Sequence, residues 1–224
     1  SGGFIHDPDG ITQDKIDWVK THKTHRRGRI EEYVEAFPKA TFHAGKTPWG
    51  VPCDVAQCEA LQTLWDEATS KFGRVDIWIN NAGGSPIQAP LTQLDPAEWD
   101  ATMRLNLTSI WVCTNTAARL MRDGGRIVNI ASVGGLRAEG SLGVYNLTKA
   151  ALIHLTRQLA GELGLTRVVG IAPGLVKTDF AQMLVDNYGD SLAKRLPRKR
   201  LGEPQDIANL ATFLASDAAS WITG

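Results

Sequence analysis

Short apolar runs rich in β-branched residues alternate with longer amphipathic stretches from residue 51 onward. The short runs predict four strands, at 51–55, 75–83, 125–132 and 166–174. The amphipathic stretches predict helices between them, at 57–73, 95–124 and 145–164. Strands that alternate with helices indicate βαβ units and a mostly parallel sheet, whose strands are apolar throughout because helices cover both faces. The pattern therefore predicts a doubly wound α/β fold in a single domain.

Both ends of the chain depart from this pattern. Residues 203–224 predict a helix from near Pro204 to about Ala215, followed by a turn where another strand is expected. In residues 1–50, Thr12 is suited to cap one helix and residues 27–37 to form a second. We therefore expect the sheet to be incomplete at its first strands and at its last strand.

Length, charge and hydropathy exclude several kinds of partner. The 224 residues are enough for one α/β domain with a substantial core. The 24 basic and 24 acidic residues give zero formal charge, which argues against binding of nucleic acid or an anionic membrane. No apolar stretch approaches the ~20 residues that span a bilayer, and the first residues do not resemble a secretion signal. We expect a cytoplasmic protein.

The cysteines and histidines predict no metal site. Cys53, Cys58 and Cys113 are odd in number and lack paired metal-ligand spacing, so reduced thiols in a reducing compartment are the simpler interpretation. The histidines at 6, 22, 25 and 43 are not spaced as a metal-binding set either.

Tyr145 and Lys149 carry the clearest chemical signal. They lie four residues apart in a predicted helix and are therefore neighbours on one face. A lysine charge beside a tyrosine favours the phenolate and lowers the phenol pKa from its reference of about 10, which suits the tyrosine to donate and accept protons. A lone pair of this kind also arises by chance on a solvated helix face, so its partners decide the interpretation.

Polar residues and a turn follow the predicted strands at their carboxyl ends: Asp54, Asn80, Asn81, Ser132 and Pro173–Gly174. In doubly wound sheets, ligands bind outside the carboxyl ends of the strands. The polar residues therefore predict a ligand site at this edge of the sheet.

With these partners, residues 54–224 resemble the short-chain dehydrogenase/reductase family. The motifs are NNAG at 80–83, Asn106 in MRLNLTS, Ser132 at a strand end, and Tyr145 with Lys149. The resemblance implies a Rossmann-like fold and an oxidoreductase. Such an enzyme interconverts a secondary alcohol and a carbonyl compound, both small molecules, by hydride transfer with NAD or NADP.

The resemblance also implies a role for each catalytic residue. Tyr145 would exchange a proton with the substrate oxygen, and Ser132 would hydrogen-bond the same oxygen. Lys149 would lower the Tyr145 pKa and bind the nicotinamide ribose hydroxyls. Asn106 would hold a water that relays the proton to solvent. Each residue also has a structural alternative, such as a turn cap for Ser132 or a helix kink at Asn106.

The cofactor site implied by the resemblance includes Tyr145 and Lys149 and extends along the strand ends. Asp54 and Val55 would meet the adenine ring, and Asn81, Ala82 and Gly83 would pass under the adenine ribose. The turn against the nicotinamide would comprise Pro173, Gly174, Val176 and Thr178. No residue distinguishes NAD from NADP.

The resemblance further implies a mobile lid over the substrate at 179–200, with Phe180, Met183, Leu184 and Tyr188; a plain surface helix is the alternative. It also implies a homo-oligomer, a dimer or a tetramer, and the helices around 100–120 and 145–163 are candidates for the interface.

The glycine-rich turn that binds the cofactor pyrophosphate in this family is missing from the first 54 residues. There, Gly2, Gly3, Gly10, Gly28 and Gly45 are too scattered to form it. Residues 1–54 instead resemble part of the nucleotide-binding domain of hexameric glutamate dehydrogenases. The motifs are DPDGI at 7–11, RRGRIEEY at 26–33 and GKTPWGVPCDVA at 45–56.

We therefore hypothesise a chimera. Residues 1–54 would replace the first βαβ unit, and residues 55–224 would form the dehydrogenase-like domain. A replacement strand would come from GGFIH at 2–6 or ATFHAG at 40–45. Three functions stay open: an oxidoreductase with an impaired cofactor site, a non-catalytic hybrid scaffold, and a fragment related to glutamate dehydrogenase. The last lacks any amino-acid-binding residues.

Overall fold

A computed structural model describes residues 51–85, 89–121, 124–138 and 142–224. The chain divides into two units, and the larger, residues 55–224, carries every helix and strand given below. Of the smaller unit, Gly3–Asp54, the structure describes residues 51–54. The helices and replacement strands predicted between residues 1 and 50, and the glutamate dehydrogenase motifs up to residue 50, lie outside the described residues.

Three parallel strands form the sheet in the described part of the chain. They are β1 (Ile77–Asn80), β2 (Arg126–Ile130) and β3 (Arg167–Ile171), in that spatial order. Asn80 pairs with Asn129 in the register of β1 and β2. The strands predicted at 75–83, 125–132 and 166–174 are thus confirmed, with shorter bounds than the apolar runs.

The strand predicted at 51–55 is wrong. Residues 51–54 have no regular structure and a turn follows at 55 and 56. Pro52 has no N–H to donate to a ladder, and no strand of the described residues pairs with this stretch. The apolar composition alone was therefore misleading.

Apart from the helix at 182–195, which lies in the segment predicted as a lid, the described helices follow the predicted helical stretches. They are α1 (Cys58–Phe72), α2 (Pro96–Met103), α3 (Ser109–Leu120), α4 (Gly143–Glu162), α5 (Gln182–Arg195) and α6 (Pro204–Ala215). α2 starts at a capping box, because the Asp95 side chain accepts from the Ala97 N–H and Glu98 accepts from the Asp95 N–H. The long helix predicted at 95–124 is interrupted by a π-helical turn, Arg104–Thr108, which separates α2 from α3. None of the helices in the described ranges is long and apolar enough to cross a membrane.

Helices cover both faces of the sheet, which confirms the doubly wound α/β fold. Successive strand residues point to opposite faces. Ile127 and Val168 pack on one face against α1 and α3 through Trp65, Ala117 and Met121. On the other face, Val128, Val169 and Ile171 pack against α6 through Ala211 and Leu214. Each fully buried side chain of this size contributes roughly 1.5–3 kcal/mol.

The last residues of the chain approach β3 on its outer side. The Gly224 N–H donates to the Val168 carbonyl at 2.9 Å, and the Val168 N–H donates to Thr223 Oγ1 at 3.2 Å. The sequence predicts a turn here, at the place where another strand would be expected.

Candidate active site

The carboxyl ends of the three strands meet at one edge of the sheet. β1 continues into Asn81–Gly84, β2 into Ser132, and β3 into Pro173. The last two connections are in contact, since the Val133 N–H donates to the Pro173 carbonyl at 2.9 Å. The structure thus brings the predicted Ser132 and Pro173 turns together.

Tyr145 and Lys149 lie in the first two turns of α4, close to this edge. Lys149 Nζ is 5.5 Å from the centroid of the Tyr145 ring, and both side chains are buried. Nζ donates to the carbonyl of Ile130, the last residue of β2, at 2.8 Å. The lysine therefore lies between the helix and the end of the central strand.

Burial lowers the pKa of Lys149 from 10.5 to about 8. The ammonium is expensive to desolvate, and no carboxylate in the described residues compensates for it. It still stays mostly protonated at pH 7. An ammonium has three N–H donors, and its one hydrogen bond within the described residues goes to Ile130, so two donors remain for a ligand.

Ser132 caps a short 3₁₀ turn, Val133–Gly135, which follows β2. Its Oγ accepts from the Gly134 N–H at 3.1 Å, which leaves the hydroxyl hydrogen to donate elsewhere. The turn lies directly on α4. A Cβ on Gly135 would come within 2.6 Å of the Lys149 carbonyl carbon, a distance that side chains do not reach. Gly135 therefore allows the Ser132 turn to contact the backbone of Lys149.

Asn106 lies in the π-helical turn and is fully buried. Its Oδ1 accepts from the Gly84 N–H at 2.9 Å, while its Nδ2 donates to the carbonyls of Gly84 at 2.7 Å and Thr102 at 3.1 Å. Both ends of the amide thus bind backbone groups. Asn106 fixes the backbone that follows β1, and its predicted role in holding a water stays a prediction.

Gly83 links Asn106 to Lys149. A Cβ on Gly83 would lie 2.8 Å from Asn106 Oδ1 and 3.3 Å from Lys149 Nζ. Only glycine fits between the amide and the ammonium without displacing one of them. The missing side chain therefore lets the strand end pack directly against the Asn106 amide and the Lys149 ammonium.

Val55, Asn81 and Ala82 line a cleft of about 210 Å³ between α1, β1 and α3. Its wall is largely apolar and includes Ile77 and Ile110. Three of the residues predicted to meet the adenosine half of the cofactor are therefore brought together. Tyr145, Lys149 and Ser132 do not line this cleft. Asp54 is exposed and is the last residue of the smaller unit.

The segment predicted as a lid is helical. A 3₁₀ turn, Asp179–Ala181, precedes α5, and the ring of Phe180 lies 5.7 Å from the ring of Tyr145 at an angle of 41°. Val176 forms a β-bridge with Gly202, and Thr178 immediately precedes the 3₁₀ turn. Gly174 lies between Pro173 and this segment, and a Cβ there would meet no atom within 4 Å.

Sequence reasoning missed several backbone contributions to the site. The Ile130 carbonyl, Gly84 and Gly135 act through main-chain contacts, which leave little trace in residue types. The doubled glycines at 83–84 and 134–135 were the available signal, because paired glycines after strands indicate close backbone approach.

Comparison with known proteins identifies relatives over most of the chain. The family model described as enoyl-(acyl carrier protein) reductase matches residues 20–224. The 3-oxoacyl-[acyl-carrier-protein] reductase of Staphylococcus epidermidis is 35% identical over 199 residues, which cover 87% of this chain and 81% of that protein. The 3alpha-hydroxysteroid dehydrogenase of Mediterraneibacter gnavus is 37% identical over 199 residues, covering 87% and 77%.

Solved structures of short-chain dehydrogenases also resemble this chain. A short-chain dehydrogenase/reductase from Brucella melitensis superposes with a TM-score of 0.80 at 27% identity, over 87% of this chain and 78% of that one. A short-chain dehydrogenase from Burkholderia cenocepacia, in complex with NADP, gives a TM-score of 0.72 at 30% identity, over 77% and 71%.

Proposed function

The chain belongs to the short-chain dehydrogenase/reductase family and is an oxidoreductase that uses NAD or NADP, and we propose that Tyr145 is its general acid and base. The substrate is a small secondary alcohol or the corresponding carbonyl compound. The observation that carries this proposal is the buried Lys149 ammonium, with Nζ 5.5 Å from the Tyr145 ring centroid. A cation at that distance stabilises the phenolate that forms when Tyr145 gives up its proton.

In the reducing direction, the carbonyl carbon would accept a hydride, which a reduced nicotinamide would supply when bound. Tyr145 transfers its phenolic proton to the carbonyl oxygen, and Ser132 donates a hydrogen bond to the same oxygen. The product alcohol thus gains one hydride on carbon and one proton on oxygen. The phenolate regains its proton from solvent, and Lys149 limits the cost of the intervening negative charge.

The residues at the strand ends fit a dinucleotide. The two remaining Lys149 donors suit the hydroxyls of a ribose, and Gly83 lets the end of the strand lie directly beside that ammonium. Val55, Asn81 and Ala82 would contact the adenosine half, together with Asp54, and Pro173, Gly174, Val176 and Thr178 the nicotinamide half. The relative crystallised with NADP supports NADP as one candidate; NAD is the other.

The amino-terminal segment affects the affinity that we expect for the cofactor. Residues 1–54 contain no glycine-rich turn of the family's kind. A cofactor bound without two or three charge-assisted contacts to its pyrophosphate, each worth roughly 1.5–3 kcal/mol, would bind more weakly by about two powers of ten or more. The resemblance to glutamate dehydrogenases, and hence the chimera, is part of this proposal. The family match already begins at residue 20, inside that segment. Intact mass and the source gene sequence test the chimera.

Two exposed apolar side chains support a homo-oligomer. Trp111 on α3 and Leu147 on α4 are exposed to 51% and 44%. Large apolar side chains at such positions suit an interface between copies, as expected for a homodimer or homotetramer. A cytoplasmic location is proposed from the composition.

Titration with NADH and NADPH tests the function, with the seven tryptophans as fluorescence reporters and cofactor consumption followed with a panel of ketones. Saturable quenching together with consumption supports the oxidoreductase. No quenching at millimolar cofactor and no consumption would favour the non-catalytic scaffold instead.

A further inference from the structure

Phe180 lies beside Tyr145 and close to Gly84, which follows β1. Its ring centroid is 5.7 Å from that of Tyr145, and its Cε2 atom is 4.0 Å from where a Cβ of Gly84 would be. It nevertheless remains 51% exposed. One part of the ring therefore lies against the proposed general acid and near Gly84, while the rest faces solvent.

The backbone around Phe180 is fixed on both sides. Ala181 is buried, with 6% of its surface exposed. Before Phe180, the Lys177 N–H donates to the Gly202 carbonyl at 2.9 Å, and the Gly202 N–H donates to the Leu175 carbonyl at 3.0 Å. A ring held in this way is pre-organised, so a ligand that packs against it loses little binding energy to ordering the site.

We infer that Phe180 determines specificity by binding an apolar, preferably aromatic, group that the substrate carries close to its carbonyl. The inference rests on the proposed function of Tyr145. Once the substrate oxygen is at the Tyr145 hydroxyl, the substituents on the carbonyl carbon lie within reach of the neighbouring Phe180 ring. Covering the exposed part of that ring removes apolar surface from water, and an aromatic substituent adds a favourable ring contact. Met183, in the first turn of α5 and 55% exposed, adds apolar surface to the same segment.

Three methyl ketones of similar carbonyl reactivity test the inference: butan-2-one, phenylacetone and cyclohexylacetone. The wild-type protein is expected to prefer phenylacetone to butanone in kcat/KM. Phe180→Ala is expected to reduce that preference about tenfold, equivalent to ~1.4 kcal/mol, and the ratio of the two kcat/KM values cancels any equal effect of the substitution on both ketones. Phe180→Leu keeps an apolar side chain, so it should still prefer cyclohexylacetone to butan-2-one. It should lose any preference for phenylacetone over cyclohexylacetone.

Phe213→Ala is the matched control, because Phe213 lies on α6 and is 44% exposed. It should leave unchanged the ratio of kcat/KM for phenylacetone to kcat/KM for butan-2-one. An unchanged ratio in Phe180→Ala, with butanone still reduced, overturns the inference but not the function of Tyr145. Loss of an oligomer in Phe180→Ala with an unchanged ratio would assign the ring to an interface between copies. Failure of the wild type to reduce any of the three ketones would overturn the proposed function, and this inference with it.

Discussion

Asn106 and Gly84 are joined by two opposed hydrogen bonds. The Gly84 N–H donates to Oδ1 at 2.9 Å, and Nδ2 donates to the Gly84 carbonyl at 2.7 Å. One buried amide thus satisfies both backbone groups of the glycine that contacts Phe180. The π-helical turn places Asn106 there, and such turns are frequent at functional sites.

Asn106→Ala should therefore reduce stability. It removes both partners of the Gly84 backbone, and an unsatisfied buried group costs ~1–3 kcal/mol, so a loss of roughly 2–4 kcal/mol in the free energy of unfolding is expected in urea. Asn187→Ala is the control, because Asn187 also donates to a backbone carbonyl, that of Met183, but is exposed. A cost for Asn106→Ala no larger than that of the control would contradict the structural role.

Gly135→Ala should separate the Ser132 turn from α4. The added Cβ would meet the Lys149 carbonyl carbon at 2.6 Å, and backbone atoms cannot rotate away. We expect a loss of roughly 1–3 kcal/mol or more in stability, and lower activity, since Ser132 moves relative to Tyr145.

Gly161→Ala, on α4 itself, is the comparison, because no atom lies within 4 Å of the Cβ position of Gly161. It should stabilise the protein by about 0.5–1 kcal/mol, as expected for alanine in a helix. Equal effects of the two substitutions in thermal unfolding would show that close packing at Gly135 is unimportant.

Thr156→Val tests a buried polar network beneath the site. Asn129 Nδ2 donates to Thr156 Oγ1 at 2.9 Å, and Asn80 Nδ2 donates to Asn129 Oδ1 at 2.8 Å, so the network ties α4 to β2 and β1. Valine keeps the shape but leaves a buried donor without its acceptor, at a cost of ~1–3 kcal/mol.

Thr212→Val provides the control for that substitution. Thr156 Oγ1 donates to the Leu152 carbonyl, and Thr212 likewise donates to the carbonyl four residues earlier, that of Ala208, but Thr212 is exposed on α6. Its replacement should change the free energy of unfolding by no more than about 0.5 kcal/mol. If both valine variants unfold at the same urea concentration, the network contributes nothing measurable.

Lys149→Met should make stability less dependent on pH. In the wild type, Lys149 has a folded pKa of about 8 against 10.5 as its ordinary value. Between these values the unfolded chain holds a proton that the folded chain has lost, so this group makes stability rise as pH increases from 8 to 10. Below pH 8 the full penalty applies, about 3 kcal/mol at 1.36 kcal/mol per pH unit.

The methionine variant should accordingly be more stable at pH 7 by roughly 1–3 kcal/mol, allowing for the lost hydrogen bond to Ile130. This advantage should shrink towards pH 10. Urea unfolding at both pH values, with exposed Lys194→Met as the control, measures it. An advantage that is equal at both pH values would show that Lys149 is not the titrating group.

The sequence correctly predicted the strands and helices whose local residue pattern matches their burial in the fold. β2 and β3 are apolar runs covered on both faces, and α6 begins at Pro204 and ends at Ala215, where the helix signals placed it. Residues 51–55 carry a similar apolar signal, yet Pro52 and the lack of a partner among the described strands leave them irregular.

Within the candidate site, the position of Tyr145 beside Lys149 was predictable from the sequence. Tyr145 and Lys149 are neighbours because helical spacing requires it. The Ile130 carbonyl as a partner of Lys149, and the π-helical turn at Asn106, depend on tertiary packing and have no local signature. The contact of Phe180 with Tyr145 likewise joins segments far apart in sequence.

The most direct test of the central claim is the rate of ketone reduction by Tyr145→Phe at saturating cofactor, beside Tyr188→Phe, whose exposed tyrosine lies on α5. Loss of a general acid should lower kcat about 10²–10⁴-fold, while the cofactor dissociation constant stays unchanged and Tyr188→Phe behaves as wild type. Turnover by Tyr145→Phe within a few fold of wild type would contradict the assignment of Tyr145 as the proton donor.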